Sequence, residues 1–380
     1  MAIGVAASGE VDECRLRLAC ADLPDRERAR LNCCLSEALY HRQSFGEAIE
    51  CARTAFDLQP DSDEVANLCA WVFSNCARHE EAAAAYERLL VLRPHWAEGH
   101  RHASGSFAAA GRLDRAIIHG KRASDLDPNS SEFAFHVGCL LEAAGRHPQA
   151  IDYLMRATAL DPADARVLRQ LSGALYALEQ TEQGVTFALR ALALAPADRL
   201  NARHAAELLL RAERYDEAAV IILDAVKTHR DDPVAFRLLS AAQMLRGRTE
   251  DALDAIDRAL SVAADTAEYH LHRANLLYRL GRLDEAAEAF GRAAVLDPSN
   301  PDAKRSQLTV YYDSGRFTEA LAVGGELIRT SPDNEEYAQA VLQVLNRRLE
   351  TLDGDYVVLS ERPLRARREP RPRPTIFAAL

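Results

Sequence analysis

Apolar residues recur along this 380-residue chain at helical spacing, in short segments separated by polar breaks. In TAEYHLHRANLLYRL (residues 266–280) they keep to one helical face. Gly281-Arg282-Leu283 then interrupts, DEAAEAFGRAAVL resumes the pattern, and Asp297-Pro298 closes it. The same sentence returns throughout. Ala48, Ala82, Ala116, Ala150, Gly184, Ala218, Ala252, Ala286 and Ala320 hold one place in successive copies, each 34 residues from the last. A fixed period of this size predicts stacked units of one supersecondary motif, each unable to bury its apolar face alone.

The turn residues predict a helical hairpin within each copy. Gly111, Gly145, Gly247, Gly281 and Gly315 stand five residues before the turn position, where a positive φ ends the first helix. Pro60, Pro94, Pro128, Pro162, Pro196, Pro298 and Pro332 stand twelve residues after it and stop the second helix. Small residues fill the contact places. Twelve before the turn stand Ser36, Ala70, Ser104, Gly138, Ser172, Ala206, Ser240 and Ala274, with Leu308 the exception. Seven after it alanine dominates, from Ala55 to Ala293. Such columns let paired helices approach closely.

These features resemble the tetratricopeptide repeat: the period, the small first-helix residue, the turn alanine, an aromatic such as Phe290 or Tyr86, and the closing proline. The resemblance spans residues 29–334 as nine units, although the family's opening tryptophan is mostly absent. It implies an all-α solenoid, a right-handed superhelix of helix-turn-helix units. A helix within 1–28 and another over 335–350 are expected to cap the stack, because a bare terminal repeat would leave an apolar face wet.

Composition narrows the class. The net charge of −11 and the modest aromatic content of 6% suit a soluble helical protein and oppose nucleic-acid binding, RNA included. No apolar run reaches bilayer length. The start, MAIGVAASGEVDEC, lacks a basic region before a long apolar run, so a secretory leader is not expected. Most of the 8 cysteines cluster early, without CxxC pairing, and read as small packed hydrophobes in a reducing cytoplasm. Residues 351–380 change character: a YVVLS stretch, then arginine alternating with proline, net basic and expected to be extended.

The family's first helices line a concave groove, and the resemblance places ligand contacts there. Fifteen residues before the turn stand Asn67, Arg101, Phe135, Arg169, Arg203, Arg237 and Arg305; one further come His102, His136, His204 and His272; four further come Trp71, Glu207 and Asn275. Arginine suits bidentate recognition of carboxylates. A lysine–asparagine clamp is missing, which argues against capture of chaperone C-termini. No catalytic motif occurs, and histidines two apart (His100/His102, His270/His272) suit a metal poorly, so no catalytic residue, metal or cofactor is expected. The expected function is a scaffold holding an extended or acidic peptide, or a partner domain. The alternative is an accessory or front-end region of a bacterial glycosyltransferase or polysaccharide-export system, suggested by the basic tail, which could also touch an anionic membrane surface.

Overall fold

The structure, a computed structural model, describes residues 2–20 and 22–352. It forms two compact units, Met1–Arg230 and Asp231–Leu380. Every regular element among the described residues is a helix. The expected basic tail lies outside the described residues from 353 onward.

In the first unit, α1 (Ala2–Leu18) precedes the hairpin of α2 (Asp25–His41) and α3 (Phe45–Leu58). There follow α4 (Asp63–Asn75) with α5 (His79–Leu92) and α6 (Ala97–Ala109) with α7 (Leu113–Leu126). The unit ends with α8 (Ser131–Ala143) and α9 (His147–Leu160), α10 (Ala165–Ala177) and α11 (Thr181–Leu194), then α12 (Arg199–Arg211) and α13 (Tyr215–Thr228). The second unit pairs α14 (Pro233–Leu245) with α15 (Thr249–Val262) and α16 (Ala267–Arg279) with α17 (Leu283–Leu296). It closes with α18 (Pro301–Asp313), α19 (Phe317–Thr330) and a single helix, α20 (Glu335–Leu352). In each pair the first helix packs on the second, and each second helix within a unit packs on the next first helix.

Every hairpin turns through one left-handed residue. The five glycines have φ between 70° and 77°, and Gln43, Ala77, Glu179 and Glu213 hold the equivalent places with φ between 56° and 62°. Backbone bonds fasten these turns, as where Arg112 N–H reaches the Phe107 carbonyl and Gly111 N–H the Ala108 carbonyl. The conformation is thus imposed by the hairpin, and glycine only makes it cheaper. At the other end, Ser130, Asp164, Asp198, Asp232 and Asn300 cap first helices through side-chain bonds to backbone N–H groups two or three residues on.

The core lies between the helices, and its volumes are matched at one crossing. The small residue of the first helix faces the residue four beyond the turn position. Gly138 accepts Leu154: a Cβ on that glycine would stand 2.6 Å from Leu154 Cγ. In α18 the roles reverse. Leu308 is large, and Gly324 in α19 makes room for it and for Val341 of α20: a Cβ there would lie 3.1 Å from Leu308 Cδ1 and closer still to Val341 Cγ2. The leucine that breaks the small-residue column is therefore compensated across the hairpin. Hydroxyls add to the clasp: Ser36, Ser104 and Ser240 donate to the carbonyls of Ala48, Ala116 and Ala252, each at 2.7 Å.

Outside the core, arginines that precede the second helices bridge back to the preceding repeat. Arg146 meets Asp114 at 2.6 Å, Arg112 meets Glu80 at 2.7 Å and Arg316 meets Asp284 at 2.9 Å. All reach solvent, where water and salt screen them, so they add little to stability.

Two substitutions test the turn geometry. Gly184→Ala would place a Cβ 2.9 Å from the backbone oxygen of Ser172. Backbone cannot yield as a side-chain tip does, so installing the alanine found at every other turn position should destabilise by about 1–3 kcal/mol. Glu213→Gly should do the opposite, stabilising by about 0.5–1 kcal/mol through relief of the left-handed strain. Chemical denaturation of the two variants checks both signs.

Candidate functional site

The expected contact residues lie on first helices, and consecutive first helices touch: α2 with α4, α8 with α10, and α10 with α12. In the first unit this layer carries Asn67 and Trp71 on α4, Arg101 and His102 on α6, Phe135 and His136 on α8, Arg169 on α10, and Arg203, His204 and Glu207 on α12. The second unit carries Arg237 on α14, His272 and Asn275 on α16, and Arg305 on α18.

Exposure separates these residues. Asn67, Trp71, Glu207, Asn275 and Arg305 are exposed, whereas the other arginines, Phe135 and the four histidines are half-buried. Trp71 packs edge-on against Tyr40 at 4.7 Å between ring centroids, and Phe45 meets the same tyrosine at 5.5 Å. Trp71 and Phe45 remain 38% and 45% exposed, which leaves an aromatic patch open to solvent.

The arginines are already engaged. Arg101 pairs with Glu98 at 2.8 Å on its own helix, and Arg305 with Asp302 at 3.0 Å. Arg169 donates to Asn201 Oδ1 at 2.6 Å and lies 3.4 Å from Asp198, both in the next repeat. Arg237 reaches Glu268 of the next repeat at 3.6 Å. Each of these guanidinium groups thus already pairs with a carboxylate of its own chain, and Arg169 also donates to an amide oxygen. Both contacts of Arg169 use one terminal nitrogen, and the planar fork has donors for a carboxylate beyond them.

The histidine column behaves differently from an open polar face. His136, His204 and His272 bond the serines of the preceding repeat: Nε2 lies 2.9 Å from Ser104 Oγ, 2.6 Å from Ser172 Oγ and 2.9 Å from Ser240 Oγ. All three serines are fully buried. Ser104 and Ser240 donate their protons to second-helix carbonyls, and Ser172 donates to the Arg169 carbonyl at 2.7 Å. Each hydroxyl therefore accepts from the imidazole N–H. Activation of a nucleophile needs the reverse direction, with histidine accepting from serine. These pairs are inter-repeat rivets rather than catalytic dyads. His102 has no serine beneath it, because Ala70 stands there, and it stacks on Tyr86 instead at 5.5 Å.

A signal in the sequence could have found the rivets. Ser104, Ser172 and Ser240 are spaced by two repeats, and a histidine follows each after 32 residues. Arg101, Arg169 and Arg237 keep the same double spacing, and each lies close enough to the following histidine to disfavour its protonation. Burial is the larger cause: it holds His136 and His204 below the usual imidazole range and pushes His272 down to about 4.

Sequence reasoning also passed over Glu142 on α8. It is half-buried, accepts a hydrogen bond from Gln170 on α10, and is held above the usual carboxyl range by burial. The cysteines are free thiols; burial pushes Cys51 up to about 11 and Cys139 to about 12, which keeps both protonated and unreactive near neutrality. Among the described residues no three histidine, cysteine or acidic side chains converge to hold a metal ion. No described helix is long and apolar enough to cross a membrane.

Tetratricopeptide repeat profiles match residues 77–131, 204–269 and 271–335, and a second profile of that description matches 131–164. The chain belongs to the tetratricopeptide repeat family. Membership makes it a protein-interaction scaffold built from helix pairs. Over 60 residues it is 35% identical to the peroxisomal targeting signal receptor of Kluyveromyces lactis, a match spanning 16% of this chain and only 11% of that protein. A tetratricopeptide repeat protein from Parabacteroides merdae superposes with a TM-score of 0.50 at 13% identity, over 66% of this chain and 99% of that one. PilW, a type IV pilus biogenesis factor, also gives 0.50, at 15% identity over 55% and 97% of the two chains. At such identities the likeness shows the fold alone.

The rivets make stability depend on pH in a defined direction. His272 has a folded pKa of about 4 against an unfolded value of about 6.5. Its neutral form is favoured in the fold, so its contribution is complete above the unfolded value and is lost as pH falls from 6.5 towards 4. The loss approaches about 3 kcal/mol for this residue. Urea unfolding at pH 7.5 and 5 should show a steep decline, and His272→Leu should flatten it, since Leu238 already fills the equivalent place in α14. An unchanged pH slope in that variant would remove the rivet from the account.

Proposed function

We propose that the first-helix layer of the first unit holds an extended segment of a partner protein. Its apolar anchor rests on the Trp71–Tyr40–Phe45 patch, and its acidic groups meet Arg101, Arg169 and Arg203. The observation that carries this reading is the sharing of one helix layer by an exposed tryptophan and a row of half-buried guanidinium groups. Tryptophan, tyrosine and arginine are the side chains that dominate binding energy at protein interfaces. A segment running across several helices draws on both. The Kluyveromyces lactis receptor, which by its name reads a targeting signal, is consistent with such use of a related stretch.

The intramolecular pairs shape the specificity. A carboxylate approaching Arg169 competes with Asp198, and one approaching Arg101 competes with Glu98. A weakly placed acid gains little by such an exchange, because it replaces one charge-assisted contact with another. The layer therefore favours ligands that add bidentate geometry and an apolar anchor to their charge.

Recovery of a captured partner from the native host tests this. Trp71→Ala, and separately Arg169→Glu with Arg203→Glu, should each reduce recovery at least tenfold, while His79→Ala, at the start of a second helix, should not. Undiminished recovery with both groove variants would move the binding surface elsewhere.

A further inference from the structure

Glu142 differs from the arginines of the first-helix layer in having no counter-charge of its own. It stands seven residues after Phe135 on α8, so the two share a helical face. Gln170 on α10 donates to its Oε2. That glutamine occupies the column of His102, His136, His204 and His272, and Gly138 stands where a rivet would need a serine. Glu142 Oε1 takes no hydrogen bond from the described residues. It faces Gly173 of α10, where a Cβ would lie 3.4 Å from it and 3.8 Å from His204 Cε1.

Both distances are ordinary contacts, so packing does not demand the glycine. Inside a helix, glycine costs stability relative to alanine. Here its effect is to keep the space in front of Oε1 open. Arg101, Arg169, Arg237 and Arg305 each have a carboxylate of the chain beside them. No lysine or arginine among the described residues pairs with Glu142. Burial holds its carboxyl above the usual range, and the Gln170 bond and the charge of His147, at the start of α9, act the other way. A cation brought to the open oxygen would favour the ionised form.

We propose that Glu142 receives a basic side chain of the partner segment, placed between the acidic groups that meet Arg101 and Arg169. This rests on the first-helix layer being the binding surface. Arg101 on α6, Glu142 on α8 and Arg169 on α10 alternate in sign, so the complementary segment runs acid, base, acid. A wholly acidic segment sets a like charge against Glu142 and is rejected there. The carboxylate thus supplies the selectivity that the arginines, each with an acid already at hand, do not.

Synthetic peptides test this. Each carries a leucine anchor followed by aspartate, lysine and aspartate, with glycine–serine spacers of two, three or four residues. In calorimetric titration of the full chain, the best spacing should bind at least tenfold more tightly than its counterpart with glutamine for lysine. A glutamate counterpart should bind more weakly still. Glu142→Gln keeps the shape and a bond to Gln170, and should abolish the lysine preference with helical circular dichroism unchanged. Glu142→Lys should favour the glutamate peptide. Gly173→Leu fills the gap and should weaken the lysine peptide with Glu142 intact. Binding that falls with Arg169→Glu but shows no preference at the central position overturns this inference and leaves the binding surface standing. Absence of binding by every peptide overturns both.

Discussion

The two helices of a hairpin can pack only as closely as the side chains at their crossing allow. At two crossings of this chain the pairs trade volume against each other. Gly138 meets Leu154, Leu308 meets Gly324, and serines elsewhere add a hydrogen bond to the opposing backbone. An isolated helix of thirteen or fourteen residues is marginal in water. The hairpin becomes stable only when the crossing is filled, and the stack only when each hairpin covers the next. The left-handed turn residues, the caps and the surface ion pairs are arranged around that contact. They tune it by small amounts.

The same economy of position explains why structural and binding roles interleave on the first helices. One residue of the column turns inward to rivet repeats, as His204 does on Ser172, while its neighbour Arg203 and the nearby Glu207 face the layer that a partner would meet. The arginines serve both sides. Their charge adds to burial in disfavouring protonation of the next repeat's imidazoles, and Arg169 and Arg237 reach carboxylates of the next repeat. A ligand drawing on Arg169 therefore touches the contact between repeats as well as the surface.

The hairpins were legible in the sequence because each is specified several times over: by period, by glycine, by proline and by small residues. Leu308 looked like a defect only while its column was read alone; its compensation sits sixteen residues away in Gly324, and volume matching becomes visible only once the helices are paired. The turns at Gln43, Ala77, Glu179 and Glu213 carried no glycine to announce their conformation, yet the flanking helices impose it. The expected contact residues do fall on first helices, but the character of their histidines was not foreseen. Direction and burial of a side chain depend on the residue one repeat earlier, serine under His136 and alanine under His102. The arginine pairings were hidden for the same reason, since Asp198 and Glu268 become neighbours only through stacking.

Exchanging volumes across one crossing tests the central claim most directly. Gly138→Leu and Leu154→Gly should each cost about 2–4 kcal/mol in chemical denaturation, one by overpacking and the other by leaving a cavity. Combined, they reproduce the arrangement of Leu308 and Gly324, and the double variant should recover to within about 1 kcal/mol of the parent. Losses that simply add would show that the fold does not depend on complementary volumes at this crossing.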